Sequence, residues 1–234
     1  IIATDKRKKI AIIGKAPSSL ALAPYADESW QIWTLSDLIV CKQAPRFDVH
    51  FELHEIDQLK APPRKPYLDW IKAVKDKPVL VREATPEIPH GEPYPKERIV
   101  AKFGRYFTNT VSWMIALAID QQPEEIGVWG VDMATGEEYG HQRPSCEFFL
   151  GWAAGAGIKL HVPPQCDLLR TAGLYGFDTW QGDMHAKWLV RCKELGQRRA
   201  TAEQKRDQAA AEALMLQGAE EDSKQYWGQW AQRT

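Results

Sequence analysis

Short apolar runs rich in β-branched residues alternate along the chain with stretches of helical periodicity. Ile10 to Ile13 is a continuous apolar run, bounded by Lys8-Lys9 and by Gly14. It reads as a strand buried on both faces of a parallel sheet. Gly14 allows a sharp turn, and Pro17 suits a first helical position, so a helix is predicted from about Ser18 to Ala23. Trp30–Leu35 alternates as a strand. Phe47 to His54 alternates almost without fault, placing Asp48, His50, Glu52 and His54 on a polar face. Tyr67–Val74 has helical spacing, and Pro78–Arg82 is a further short strand. Pro86 to Pro95, with four prolines, reads as a loop, either ordered over a ligand site or a plain surface connection.

The second half repeats the alternation. Thr108, Asn109, Thr110 and Ser112 crowd the start of a helix running to Asp120, with Asn or Thr as N-cap. Ile126–Val131 is a buried strand with Asp132-Met133 at its carboxyl end. A helix is predicted over about Arg143 to Ala156, ended by Gly155 and Gly157, and a strand over Ile158–Val162. Beyond Tyr175 the character changes. Met184, Trp188, Cys192 and Leu195 recur at helical spacing and Gly196 breaks the run. Thr201 with Gln204 forms a capping box for an Ala- and Gln-rich helix, with a break at Gly218 and an aromatic end at Tyr226, Trp227 and Trp230. The pattern predicts an α/β fold: a three-layer domain with a mainly parallel sheet over residues 1–175, and a helical C-terminal arm over 176–234 that packs on the domain, on a second copy of the chain, or on both.

Composition narrows the function classes. Of 234 residues, 44% are hydrophobic and 26% charged, ordinary for a globular protein. Lys plus Arg (30) nearly balances Asp plus Glu (31), so no global charge favours nucleic acid or an anionic membrane. No apolar run is long enough to span a bilayer, and the polar, basic N-terminal stretch predicts no signal peptide. Cys41, Cys146, Cys166 and Cys192 are scattered without a CxxC pair, which fits reduced cytosolic thiols.

A strand, a glycine turn and a helix start gather backbone donors at one point, where phosphate binds well. Gly14, Pro17, Ser18 and Ser19 are therefore candidate phosphate or ribose contacts, although turn and cap structure alone also accounts for them. Asn109, Thr110 and Ser112 can hydrogen-bond a base or ribose, or cap the helix. Asp132 sits at a strand end, where open parallel sheets bind ligands. Beside a phosphate it can hold a cation such as Mg, the one cofactor considered, or cap the following turn. His141 is a candidate general base, and Arg143 suits bidentate phosphate or carboxylate recognition. His50, Glu52 and His54 share one strand face, either as metal ligands or as the solvated face of an edge strand; the second reading is preferred and no metal site is predicted.

Three segments together carry a family likeness: Ile12-Ile13-Gly14-Lys15-Ala16-Pro17-Ser18-Ser19; Asn109 to Ile119 with Glu125 to Met133; and Glu137-Glu138-Tyr139. Over about residues 8 to 170 the chain resembles the Rossmann-like superfamily of bacterial CMP-sialic acid sialyltransferases and hydroxymethylpterin pyrophosphokinase-like proteins. There a G-x-x-P-S turn lies against the nucleotide, and a T/S-S-G helix start with a strand ending in G-I-D builds the other wall. Ala16 replaces the family's second glycine, Val111 its helix-start glycine, and His141 does not align with its histidine. The Gln142-Arg143-Pro144-Ser145-Cys146-Glu147 run resembles compact phage or prophage members, implying a cytoplasmic protein of a bacterial host if the chain is viral. The resemblance implies a nucleotide-binding, glycosyltransferase-like or phosphotransferase-like protein that takes a nucleotide or nucleotide-sugar ligand; Asp132 and His141 are the candidate catalytic residues. Two alternatives stand beside it: a protein that sequesters a nucleotide signal without turnover, and an assembly factor acting through the arm, which would also carry homo-oligomerisation.

Overall fold

The computed structural model describes residues 9–133, 137–171, 173–177 and 181–231. The chain divides into two units, Ile1–Arg170 and Thr171–Thr234. In the first, strands β1 (Lys9–Ile13), β2 (Trp30–Leu35), β3 (Val49–Glu52), β4 (Val79–Val81), β5 (Glu92–Pro93), β6 (Glu125–Trp129) and β7 (Lys159–His161) form one sheet in the order β5-β4-β3-β2-β1-β6-β7. Every neighbouring pair is parallel. The helices are α1 (Pro17–Leu20), α2 (Ile56–Lys60), α3 (Lys65–Ala73), α4 (Lys96–Phe103), α5 (Thr110–Asp120) and α6 (Glu137–Gly155), with a 3₁₀ turn at Ser36–Leu38.

The continuous apolar runs are explained by burial on both sides. Ile12 lies in register between Trp33 and Val128, and Ile13 between Thr34 and Trp129. Ile10 and Ile12 join Trp33, Phe51 and Val128 on the face covered by α4, α5 and α6. Ala11, Ile13, Ile32 and Trp129 pack on the opposite face with Leu20 and Leu38, and Val79 and Val81 pack there with Leu59, Leu68 and Ile71 of α2 and α3. The result is helix, sheet, helix. Each fully buried Ile or Leu contributes about 1.5–3 kcal/mol against exposure. Eight of the eleven residues of α5 are buried, which accounts for a helix apolar nearly all round.

The chain builds outward from β1 to β5, then returns through α4 and α5 to lay β6 against the other edge of β1. The sheet therefore reverses its winding between β1 and β6, and in such sheets the crevice at the carboxyl ends of those strands is where ligands bind.

Several expectations are corrected. The first helix covers Pro17–Leu20 and not Ser18 to Ala23. The strand over Phe47 to His54 shortens to Val49–Glu52, and it is no edge strand: β2 and β4 flank it, and all four residues are buried. Period-two alternation marked the strand but could not show that its polar face would be covered by α3. The Pro86 to Pro95 loop contains the two-residue β5. Helices α2 and α4 were missed, being short and rich in charge. Helix α6 begins at Glu137 and carries Pro144 inside it.

In the second unit, α7 (Gln181–Ala231) is one helix of 51 residues, about 76 Å long at 1.5 Å per residue. Gly196 and Gly218 do not break it, although each costs about 1 kcal/mol relative to Ala. Ion pairs one turn apart, Arg198–Glu194, Arg199–Glu203 and Lys224–Glu220, support it. Thr201 caps nothing; its hydroxyl donates to the Gln197 carbonyl at 3.0 Å within the helix. The side chain of Met184 lies outside the described residues.

Candidate functional site

The turns after β1 and β6 meet backbone to backbone. The Gly14 N–H donates to the Trp129 carbonyl and the Ala16 N–H to the Gly130 carbonyl, both at 2.8 Å. A Cβ on Gly14 would stand 2.3 Å from the Gly130 oxygen, and one on Gly130, at φ +66°, would stand 2.4 Å from the Gly14 oxygen. Two glycines are needed because two chains touch, so Gly14 has a structural reason that does not involve a ligand. Ser19 is fully buried, and its hydroxyl accepts the Gly130 N–H at 2.8 Å. Pro17 occupies the first turn of the four-residue α1 and is exposed.

Ser18 and Asp132 come together at this junction. The Ser18 hydroxyl donates to the Asp132 carboxylate across the mouths of β1 and β6. Lys15 pairs with Asp37, in the turn after β2. Left-handed backbone at Ser36 (φ +55°) and Met133 (φ +48°) marks the ends of β2 and β6, a conformation that non-glycine residues adopt at a cost.

The cluster at the start of α5 is engaged with α6. The Asn109 side chain caps α5 by accepting the Ser112 N–H at 2.8 Å, and its amide donates to the Gln142 carbonyl at 2.9 Å. The Ser112 hydroxyl donates back to the Asn109 carbonyl at 2.7 Å. Thr108 and Ser145 share a hydrogen bond of 2.6 Å. Thr110 is half-buried. Arg143 binds Glu147 at 2.8 Å and the Arg170 carbonyl at 3.3 Å. His141 is exposed on the second turn of α6, with no hydrogen bond among the described residues. The Tyr139 side chain lies outside them. The fold thus unites Gly14, Ser18, Ser19 and Asp132 and unites Asn109 and Ser112 with α6; among the described residues no hydrogen bond joins His141 or Arg143 to Ser18.

A second assembly lies further along the same carboxyl edge. A cleft of about 490 Å³ opens beyond β3, β4 and β5, lined among others by Leu53, Arg82, Tyr94, Lys96 and Trp113. A smaller recess of about 110 Å³, lined among others by Glu52, His54, Val81 and Thr85, shares Arg82, Glu83 and Ala84 with it. Adjacent strands run about 4.8 Å apart, so the ends of β1 and β3 are separated by about 10 Å.

Behind the recess runs a chain of buried polar groups. His50 is fully buried, with Nδ1 3.0 Å from the Thr34 hydroxyl and Nε2 2.7 Å from the Tyr67 hydroxyl. Burial pushes the His50 imidazole down to about 4, so it is neutral at pH 7. Burial first, and then the neighbouring Glu52 charge and hydrogen bond, hold the Tyr67 hydroxyl well above its ordinary range. Burial alone would raise Glu52, but the His54 ring and backbone N–H and the Tyr67 hydroxyl hold it below the usual carboxylate value. His54 Nδ1 lies 2.6 Å from Glu52 Oε1. That hydrogen bond raises His54 above its ordinary value against a smaller opposing effect of burial. The expected solvated face is therefore a buried hydrogen-bonded network. It does not read as a metal centre either: both His50 nitrogens are occupied, and no three His, Cys, Asp or Glu gather as ligands among the described residues. The same holds at Asp132, which stands with Ser18.

The site defines a doubly wound, all-parallel α/β protein with an open carboxyl edge. No protein-family model matches the chain, and no curated protein matches it. Among solved structures, it is similar to thiamine pyrophosphokinase from Bacillus subtilis, at 14% identity over 67% of this chain and 60% of that one, with a TM-score of 0.42. It is also similar to the sialyltransferase CstII from Campylobacter jejuni in complex with a substrate analogue, cytidine-5′-monophosphate, at 15% identity over 68% of this chain and 80% of that one, with a TM-score of 0.47. The chain spans 60% of the pyrophosphokinase's length. At these identities the likeness concerns the fold and not the activity.

Proposed function

We propose that this protein binds a nucleotide or nucleotide-linked donor along the carboxyl edge of its sheet and acts as a glycosyltransferase-like enzyme. The observation that carries the reading is the Ser18–Asp132 pair at the point where the winding reverses between β1 and β6. Ser18 would hold the ligand's phosphate or ribose together with backbone of the Gly14 turn. Asn109, Thr110 and Ser112 would form the far wall, with Pro17 and Ser19 shaping the turn. Asp132 would receive a ribose hydroxyl, and Arg143 would meet the phosphate by exchanging its Glu147 contact. Such catalysis rests on positioning and on stabilising the departing phosphate. The test is calorimetric titration with CMP, UDP and GDP. Ser18→Ala combined with Arg143→Ala should weaken binding at least tenfold; unchanged affinity refutes this placement.

A second reading, sequestration of a nucleotide signal without turnover, is favoured by His141, which is exposed and makes no hydrogen bond among the described residues. Recovery of an intact bound ligand after long incubation supports it, and consumption of the ligand excludes it. No helix among the described residues is long and apolar enough to cross a membrane.

The C-terminal helix supports self-association, with assembly as its further use. Trp188, Cys192, Leu195, Ala202, Ala209, Ala213, Leu216, Trp227 and Trp230 occupy nine of the thirteen positions set by alternating four- and three-residue steps from Trp188, the others being Arg199, Arg206, Glu220 and Ser223, a partial coiled-coil seam. Trp188 is 60% exposed and Trp227 72%. Residues 181–206 carry a net charge of +4 (seven Lys/Arg less three Asp/Glu), and residues 207–231 carry −4 (one less five). An antiparallel pair places each half against its opposite. Sedimentation at low and high salt tests this: dimers should weaken with salt, as screened charges do, and a monomer at all salt concentrations excludes the pairing.

A further inference from the structure

We propose that Glu52 and His54 form the acid–base pair of this protein, with His54 as the general base and Glu52 as the residue that positions it; the proposal rests on the transferase reading above. A carboxylate with depressed proton affinity only accepts. The Glu52 carboxylate therefore takes the His54 backbone N–H at 2.8 Å and the His54 Nδ1–H at 2.6 Å. Behind Glu52 the buried polar groups continue, with His50 Nε2 2.7 Å from the Tyr67 hydroxyl and His50 Nδ1 3.0 Å from the Thr34 hydroxyl. The network stabilises negative charge on that carboxylate and locks it in place, since Glu52 is only 3% exposed.

His54 stands at the open end of this line. With Nδ1–H committed to Glu52, the neutral ring presents Nε2 as a lone pair, and Nε2 has no hydrogen bond among the described residues. The imidazole lines the recess beside Arg82, Glu83 and Thr85. A buried carboxylate that orients an imidazole and stabilises its protonated form is the arrangement used for general-base catalysis. His141 has no such partner. The charged and titratable groups facing His54 are Glu52 on β3, Tyr67 on α3, Arg64 before α3, and Arg82 and Glu83 after β4.

The proton of an acceptor hydroxyl, or of water, passes to His54 Nε2 as the acceptor oxygen bonds to the anomeric carbon of the donor sugar. The bond from that carbon to the phosphate oxygen breaks, and its electron pair leaves with the nucleotide. The imidazolium then releases the proton to solvent.

The experiment uses the full chain and a panel of CMP-, UDP- and GDP-linked sugars, following nucleotide release by phosphorus NMR and binding of free CMP by calorimetry. His54→Gln should slow kcat about 100-fold or more with CMP affinity within threefold. Glu52→Gln, with Glu52→Asp as the better-folding companion, should lower the midpoint of the acidic limb of the kcat profile, which a merely structural residue would not move. Turnover by His54→Gln at the wild-type rate overturns this inference and leaves the transferase reading intact. A wild type that binds CMP but consumes no donor also overturns it, leaving nucleotide binding without turnover. A wild type that neither binds CMP nor consumes any donor overturns both.

Discussion

His50 makes the stability of this fold acid-sensitive in a way that can be isolated. Its side chain is fully buried among Phe47, Tyr67 and Trp70, whose rings meet it edge-on, and burial lowers its proton affinity from the ordinary 6.5 to about 4. The unfolded chain takes up a proton near pH 6.5, whereas the folded one does not until about pH 4. Stability contributed by neutral His50 is therefore present above pH 6.5 and lost as pH falls towards 4. At about 1.4 kcal/mol per pH unit, the whole window is worth about 3 kcal/mol, of which about 2 kcal/mol is lost between pH 7 and pH 5. Glu52, held low, also loses stability on acidification, below its ordinary 4.5. His54, held high, contributes stability that is fully present below 6.5 and lost as pH rises through its folded value. Both remain in a His50→Gln variant, whose amide can still bond Thr34 and Tyr67. Urea unfolding of both proteins at pH 7, 6 and 5, followed by tryptophan fluorescence, should show the wild type's advantage shrinking by about 2 kcal/mol towards pH 5. Two curves that stay parallel across that range would refute the assignment of a neutral buried imidazole.

Gly14→Ala should destabilise the protein by about 1–3 kcal/mol or more, because its Cβ meets the Gly130 carbonyl and both strands must shift; the check is calorimetric Tm against wild type. Ser19→Ala leaves the buried Gly130 N–H without its acceptor and should cost about 1–3 kcal/mol, read as a fall of about 2–4 °C in Tm per kcal/mol for a chain of this size. Under native conditions a disulfide thiol reagent should label Cys41 and Cys192 quickly, while Cys146 and Cys166 stay silent until unfolding. Burial holds those two thiols up at about 12 and about 11 respectively, so they are not thiolate nucleophiles at neutral pH.

The sheet was legible in the sequence because a strand buried on both faces is a dense local signal: Trp30–Leu35 was bounded as observed, and Ile10 to Ile13 to within one residue. The cap at Asn109 was legible for the same reason, since Asn109 and Ser112 lie within one turn. Strand order was not, because it depends on which runs pair across long separations. That also hid the site's second half. His50, Glu52 and His54 were singled out by alternation, but whether such a face meets water or α3 is decided by Tyr67 and Trp70 packing onto it from another element. Gly14 shows the opposite case. A glycine after a first strand suggested room for a ligand, and its tertiary reason is another glycine, Gly130. Helix α7 kept Gly196 and Gly218 inside it because neighbouring Ala, Leu, Glu and Arg residues outweigh two weak positions.

The return of the chain to lay β6 beside β1 has a consequence for synthesis. Ile13 waits for Trp129 before the second side of β1 is occupied. At a translation rate of 5–20 residues per second, the edge of the most apolar strand stays bare for roughly ten seconds after it leaves the ribosome. During that interval the nascent chain offers an unpaired, water-averse ladder to any neighbour. The yield of native protein in a cell should therefore depend on translation speed across residues 80–130 and on the supply of holding chaperones, more than on the final stability of the fold.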